Sequence, residues 1–127
     1  VNGKINFNKS KLINEKIGTL EINNSDLFFY NDKLILNTDV LINMHNPDRL
    51  FSLLQTPRNS RKSIKQIFMN LDYDPMMDQI TINTIKIDAN KSNIEMEEVI
   101  DRFNTSNDYN LNKSRRMLNR LFKAYAG

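Results

Sequence analysis

The sequence has no cysteine and no tryptophan, only three glycines and three prolines, and a single histidine. Without cysteine the chain has no disulfide framework, no thiolate metal ligand and no thiol nucleophile. Its glycines stand at positions 3, 18 and 127, so neither a GxGxxG turn nor a P-loop, which need clustered glycines, can form. His45 has no second histidine at ligand spacing and no glycine-flanked serine, so we expect neither a zinc site nor a Ser–His active site.

Long hydrophobic runs are also missing, and no apolar stretch approaches the about 20 residues that cross a bilayer. A chain of 127 residues with 39% hydrophobic and 26% charged residues is typical of one folded domain with a modest core. The net charge of +3 is compatible with weak attraction to anionic lipid or nucleic acid and requires neither. Because the chain begins with Val1 rather than Met, we expect it to be a segment of a longer protein.

Alternation of apolar and polar residues predicts a sheet in residues 1–89. The strongest pattern is Lys33–Met44, where the even positions are mostly apolar and the odd positions mostly polar. Asn24–Asp26 has the residue types of a turn, and the change of phase at Asn83-Thr84 predicts a β-bulge. A loop is expected after the first strand. The predicted strands are Lys4–Phe7, Gly18–Asn23, Leu27–Tyr30, Lys33–Met44, Ser63–Tyr73 and Gln79–Asp88.

Patterns typical of helices appear once within the predicted sheet region, between residues 46 and 57, and again in residues 90–127. Asn46-Pro47 provides an N-cap followed by proline at the first helical position, and Thr56-Pro57 ends that helix. Apolar residues at helical spacing predict two further helices, Ile94–Asn104 and Leu111–Ala126. The fold class is therefore α+β: a twisted antiparallel sheet of about six strands with one inserted short helix and two C-terminal helices.

Two clusters of carboxylates are candidate sites. Asp72, Asp74 and Asp78 surround a hairpin loop, where aspartate favours turns, and their spacing does not match a calcium-binding EF-hand. The glutamates of residues 95–98 fall in the first turn of a predicted helix, where negative charge is favourable. We therefore predict no catalytic residue, no metal and no cofactor.

The apolar sides of the long strands are the first candidate for function. Such a face must be covered by helices, by a second sheet or by acyl chains. The residues on it are either ordinary core or a lipid-facing groove, and the sequence leaves both open. They are Leu34, Leu36, Val40, Ile42, Met44, Ile67, Met69, Leu71, Tyr73, Ile80 and Ile82.

The last predicted helix is the second candidate, because residues 111–127 contain no acidic residue. One side of it is basic. This side is a solvated surface, a contact for anionic lipid head groups or a contact for nucleic-acid phosphates. Phe28, Phe29 and Tyr30 lack the arrangement that stacks RNA bases, so nucleic acid is not the expected partner. The basic candidates are Lys113, Arg115, Arg116, Arg120 and Lys123.

The strings GTLEINNSDLFFYNDKLILNTDVLINM, DRLFSLLQTPRNSRKSIKQIFMNLDYD, ITINTIKIDAN and NRLFKAYAG resemble the C-terminal region of bacterial AsmA-like envelope proteins of alphaproteobacterial type. The resemblance covers residues 17–89 and the last helix. It implies a periplasmic location, attached to the inner membrane through the rest of the chain. It also implies a curved sheet with an apolar face, and no catalytic residues.

By this resemblance we expect a non-catalytic module that acts in phospholipid transport between membranes or in outer-membrane assembly. The apolar sheet face would contact acyl chains, and the basic helix would face a membrane surface or an envelope protein. A periplasmic scaffold that binds other proteins is the first alternative, and a weak nucleic-acid-binding domain is the second.

Overall fold

The computed structural model describes residues 3–7, 10–14, 18–106 and 111–127, and for residues 3–7, 10–14 and 111 it describes the backbone alone. The strands are β1 (Gly3–Phe7), β2 (Ser10–Asn14), β3 (Gly18–Tyr30), β4 (Lys33–Met44), β5 (Gln66–Asp74), β6 (Gln79–Ile87) and β7 (Asn90–Lys91). The helices are α1 (Pro47–Leu53), α2 (Ile94–Thr105) and α3 (Leu111–Ala126), with a short 3-10 helix at Arg58–Ser60.

All strand pairings are antiparallel, in the order β1-β3-β4-β5-β6-β7, and β2 lies beside β1 along the same edge of β3. The α+β class, the inserted helix and the two C-terminal helices are confirmed. The sheet has five full strand positions in the described residues, fewer than predicted, because β1 and β2 share one edge and β7 has only two residues. β2 lies where we expected a loop.

The predicted turn at Asn24–Asp26 is wrong, because β3 continues through it as one 13-residue strand. Asn23 pairs with Asp39 and Asp26 pairs with Asn37, so Asn24 and the next residue together face one residue of β4. This is a β-bulge, with Asn24 at a φ of 51°. Asparagine tolerates positive φ, so the residue types that indicate a turn also suit a bulge.

The predicted bulge in β6 is confirmed. Asn70 pairs with Thr84 and Leu71 pairs with Ile82, which leaves Asn83 as the extra residue. One extra residue reverses the face of the sheet to which all following side chains of the strand point. The isoleucines before the bulge and those after it consequently lie on the same face of the sheet.

The predicted starts of two helices are confirmed by their caps. The side chain of Asn46 accepts a hydrogen bond from the backbone N–H of Arg49, and that of Asn93 accepts one from Met96. The predicted strand from Ser63 begins later, at residue 66, where the carboxylate of Asp88 accepts the backbone N–H groups of residues 65 and 66.

The core lies between one face of the sheet and the helices. Phe51 of α1 and Phe122 of α3 meet edge to face, with ring centroids 5.2 Å apart. Both rings are about 1% exposed. The buried core residues are Phe51, Ile64, Ile67, Ile82, Ile85, Ile87, Met96, Ile100, Phe103, Leu121, Phe122 and Ala124.

Candidate functional site

Cross-strand register places the apolar residues of four strands on one face, which we call the inner face. In one row Ile42 of β4 pairs with Ile67 of β5, which pairs with Ile87 of β6. In a second row Leu36 pairs with Leu27 of β3 and with Tyr73 of β5. Directly paired residues point to the same side of a sheet, so both rows belong to the inner face.

The helices cover the inner face only in part. Ile67, Ile85 and Ile87 are at most 1% exposed, and they belong to the core that the helices close. The C-terminal end of α2 is fixed to the middle of β6: the side-chain oxygen of Asn104 accepts the Ile82 N–H at 2.8 Å, and its amide donates to the Ile82 carbonyl at 2.9 Å.

Beyond this attachment lies a group of apolar side chains that we call the open patch. Phe29 is exposed, at 37%, and the other members are partly exposed. None of them belongs to the core cluster or packs against it. The patch extends over three neighbouring strands. It consists of Leu27, Phe29, Leu34, Leu36, Leu71 and Tyr73.

The structure divides the predicted lipid-facing residues into two groups. One group lies in the core or packs against it, where the helices occupy the space that a lipid would need: Ile42, Met44, Ile67, Met69, Ile80 and Ile82. The other group lies outside the core cluster: Leu34, Leu36, Val40, Leu71 and Tyr73. Within the second group Val40 is itself buried, at 8% exposure, so it contributes little accessible surface.

Sequence reasoning missed two members of the open patch, Leu27 and Phe29. Both lie on β3 and pair with Leu36 and Leu34, respectively. The signal that could have found them is the two-residue turn at residues 31 and 32, because it fixes Tyr30 opposite Lys33 and therefore places both residues opposite β4.

The two hairpin turns beside the open patch carry further exposed apolar side chains. Tyr30 is 60% exposed next to the β3–β4 turn, and Met76 and Met77 are 76% and 71% exposed in the β5–β6 turn. Because Leu36 pairs with Tyr73, these two turns lie at the same end of the sheet. This end of the sheet therefore carries exposed apolar side chains at its turns as well as on its inner face.

The hydroxyl of Tyr73 donates a hydrogen bond to the carboxylate of Asp78 at 2.8 Å. This hydrogen bond raises the pKa of Tyr73 above its ordinary value, with smaller contributions from desolvation and from the charges of Asp78 and Asp74. The hydrogen bond also keeps the phenolic hydroxyl directed toward the turn.

The opposite face of the sheet is mixed: it carries a hydrogen-bonded polar network, and on it Phe28 pairs with Ile35 and Leu41 pairs with Phe68. Asn37 donates to Asp72 at 2.7 Å and to Asn70 at 3.1 Å, and Asn70 donates to Asp39 at 2.9 Å. Asn24 donates to the other oxygen of Asp39 at 3.0 Å. These amides and carboxylates connect three strands, whereas the inner face has no comparable network among the side chains of the open patch.

The predicted basic residues of α3 do not form one surface. Arg115 donates to Gln55 at 2.7 Å, beside the end of α1. Lys113, Arg116 and Arg120 line a groove between α2 and α3 together with Arg102 of α2, which sequence reasoning did not select. The remaining residue, Lys123, lines a neighbouring depression that also contains Glu95 and Glu98.

Within the described residues, no group of three or more histidine, cysteine, aspartate or glutamate side chains is arranged to hold a metal ion. His45 is exposed at the end of β4. Among the helices that the structure describes, none is both long and apolar enough to pass through a bilayer.

Comparisons with protein-family models, with curated proteins and with solved structures find no match to this chain.

Proposed function

We propose that this chain is a lipid-contacting, non-catalytic module of an AsmA-like envelope protein, acting in phospholipid transport between membranes or in outer-membrane assembly. In this proposal the module lies in the periplasm and is held at the inner membrane by the rest of its protein. The observation that carries the proposal is the open patch, an apolar part of the inner face that the helices leave uncovered.

The dimensions of the open patch suit part of an acyl chain. Three neighbouring strands span about 10 Å, and residues 34–38 extend about 13 Å along β4. Each methylene group buried on such a surface contributes about 0.8 kcal/mol. A surface of this size holds a section of one chain, so the module would supply one segment of a longer contact.

Polar groups limit where the lipid would lie. Beyond the patch along β4, the inner face carries the hydroxyl of Thr38, which is 6% exposed and bonded to Ser25. At the other end Tyr73 directs its hydroxyl toward the turn and leaves its ring on the patch. The acyl chain would therefore lie between these two polar positions.

A periplasmic scaffold is the alternative function. The exposed Tyr30, Met76 and Met77 favour it, because tyrosine and methionine are enriched at protein interfaces. In that case the open patch and the tips would dock another envelope protein rather than lipid.

The test compares two leucines of β4 on opposite faces. Leu36 belongs to the open patch, whereas Leu41 pairs with Phe68 on the opposite face, and both side chains are partly buried. The variants Leu36→Asn and Leu41→Asn are purified from a bacterial envelope in mild detergent, and bound phospholipid is measured by native mass spectrometry with lipid extraction. Circular dichroism and thermal unfolding verify that both variants fold.

We expect phospholipid on the wild type and on Leu41→Asn, and its loss from Leu36→Asn. Phospholipid that stays on folded Leu36→Asn, or its absence from the wild type, would contradict the proposal. A copurifying envelope protein that only Leu36→Asn loses, without any lipid, would favour the scaffold.

A further inference from the structure

A groove of about 290 Å³ lies between α2 and α3. We call it the basic groove and define it by the four cationic side chains that line it: Arg102, Lys113, Arg116 and Arg120. The other described residues of its lining are Val99, Phe103, Ser106 and Met117, so no carboxylate is among them.

The helices bring these cations together through simple spacing. Lys113, Arg116 and Arg120 are separated by three and four residues, which places them along one side of α3. Arg102 lies in the last turn of α2, where a cation is favoured by the helix dipole. The like charges of Arg116 and Arg120, four residues apart, repel each other, and a bound anion would relieve this repulsion.

Lys113 is held in a defined position. Its side chain is partly buried, and its Nζ lies 5.3 Å from the centre of the Phe103 ring, as in a cation–π contact. Arg102 and Arg116 are exposed at the rim and present guanidinium groups, whose planar forks bind two oxygens of one phosphate. The groove thus combines an oriented ammonium with exposed bidentate donors.

We propose that the basic groove binds the phosphate group of a phosphate ester. Its volume lies at the lower limit of the range of about 300–1,000 Å³ in which proteins enclose drug-sized ligands, so it suits a head group and excludes a pair of acyl chains. Two acidic side chains, Glu95 and Glu98, line the neighbouring depression together with Arg102, Arg120 and Lys123. They would oppose an anion there and direct it to the groove.

The groove and the open patch are connected through the end of α2. Phe103 and Ser106 line the groove, and Asn104 between them is bonded to the backbone of Ile82. Ile82 pairs with Leu71 of the open patch. A phospholipid would place its phosphate in the groove and an acyl chain toward the patch. The assignment of the phosphate to a lipid rests on the proposed function. The binding of phosphate in the groove does not depend on it.

The first experiment follows the Nε–H signals of arginine in ¹H–¹⁵N spectra of the whole chain. Inorganic phosphate is titrated at constant ionic strength against chloride. We expect saturable shifts of the signals of Arg102, Arg116 and Arg120, and none for Arg58, which is exposed on the 3-10 helix. Shifts that are uniform over all arginines, or that do not saturate, would overturn the proposal.

The second experiment compares two variants that lose the same charge. R102Q/R116Q removes cations of the groove, and R58Q/K65Q removes exposed cations outside it. Flotation is measured with vesicles of dioleoylphosphatidylcholine, alone or mixed with dioleoylphosphatidylglycerol. Each cation near an anionic membrane contributes about a fivefold change, so we expect roughly 30-fold weaker binding of R102Q/R116Q to mixed vesicles. The control variant is expected to bind like the wild type.

The outcomes separate the two sources of phosphate and the two proposals. Equal weakening of both variants would mean that net charge alone acts, and it would overturn the groove as a site. Shifts with inorganic phosphate but unchanged vesicle binding would assign free phosphate as the ligand. If Leu36→Asn retains phospholipid while R102Q/R116Q loses the phosphate shifts, the groove is supported and the proposed function fails.

Discussion

The paired hydroxyl groups at the bulge of β3 allow a quantitative prediction. Ser25 and Thr38 are each 6% exposed, and their hydroxyl oxygens are 2.6 Å apart. The hydroxyl of Thr38 also lies 3.3 Å from the carbonyl of Asn23, to which it can donate, and either hydroxyl can supply the proton between Ser25 and Thr38. Removing one partner of a buried hydrogen bond costs about 1–3 kcal/mol, because the other is left unsatisfied.

We expect Thr38→Val to lower the free energy of unfolding by about 2 kcal/mol, since Ser25 and the carbonyl of Asn23 both lose their partner. Ser25→Ala should cost about 1 kcal/mol, because Thr38 keeps its second acceptor. The double variant should cost about 2 kcal/mol, close to Thr38→Val alone, which corresponds to a coupling of about 1 kcal/mol.

The assay is urea unfolding of the four proteins, followed by far-ultraviolet circular dichroism at one pH and temperature. Similar m-values in all four are the control for a common unfolded state. If the effects of Ser25→Ala and Thr38→Val add to within about 0.3–0.5 kcal/mol, the two hydroxyls are not coupled and the reasoning is refuted.

Three further predictions test local geometry. Gly18→Ala places a Cβ against a backbone carbonyl of β4, so we expect it to lose about 1–3 kcal/mol in thermal unfolding, and an unchanged midpoint would contradict this. Asn104→Ala removes both hydrogen bonds to Ile82 and should speed hydrogen exchange of the Ile82 amide, leaving amides of β4 unaffected. Asp78→Asn should lower the pKa of Tyr73 toward its ordinary value, because the carboxylate no longer accepts the phenolic proton or repels the phenolate; a tyrosine absorbance titration that does not change would exclude this cause.

Much of the fold follows from local pattern. The alternation in residues 33–44, the cap at Asn46, the helical spacing from Ile94 and the phase change at Asn83 are short-range signals, and the structure agrees with each of them. The bulge at Asn24 was mistaken for a turn because the same residue types favour both. Only the pairing partner, which is remote in sequence, decides between them.

The candidate site could be predicted less well. An apolar strand face has the same alternation in the sequence whether or not helices cover it. The sequence therefore does not distinguish Ile67 in the core from Leu71 in the open patch. Their difference arises from where α2 ends on β6. The basic groove likewise needs Arg102, whose place beside α3 depends on how two helices pack.

The side chain of Asn104 also bears on self-association. With its carbonyl and amide it pairs both backbone groups of Ile82, as a residue of a neighbouring strand would. Farther along the same edge β7 pairs with residues 86 and 87 of β6, and Asn83 bulges between these two positions. An incoming strand from another molecule would need a continuous row of donors and acceptors, and this edge offers only interrupted ones. The side chain of Asn104 thus blocks the β6 edge at Ile82, and it limits growth of the sheet by pairing of a second molecule with this edge.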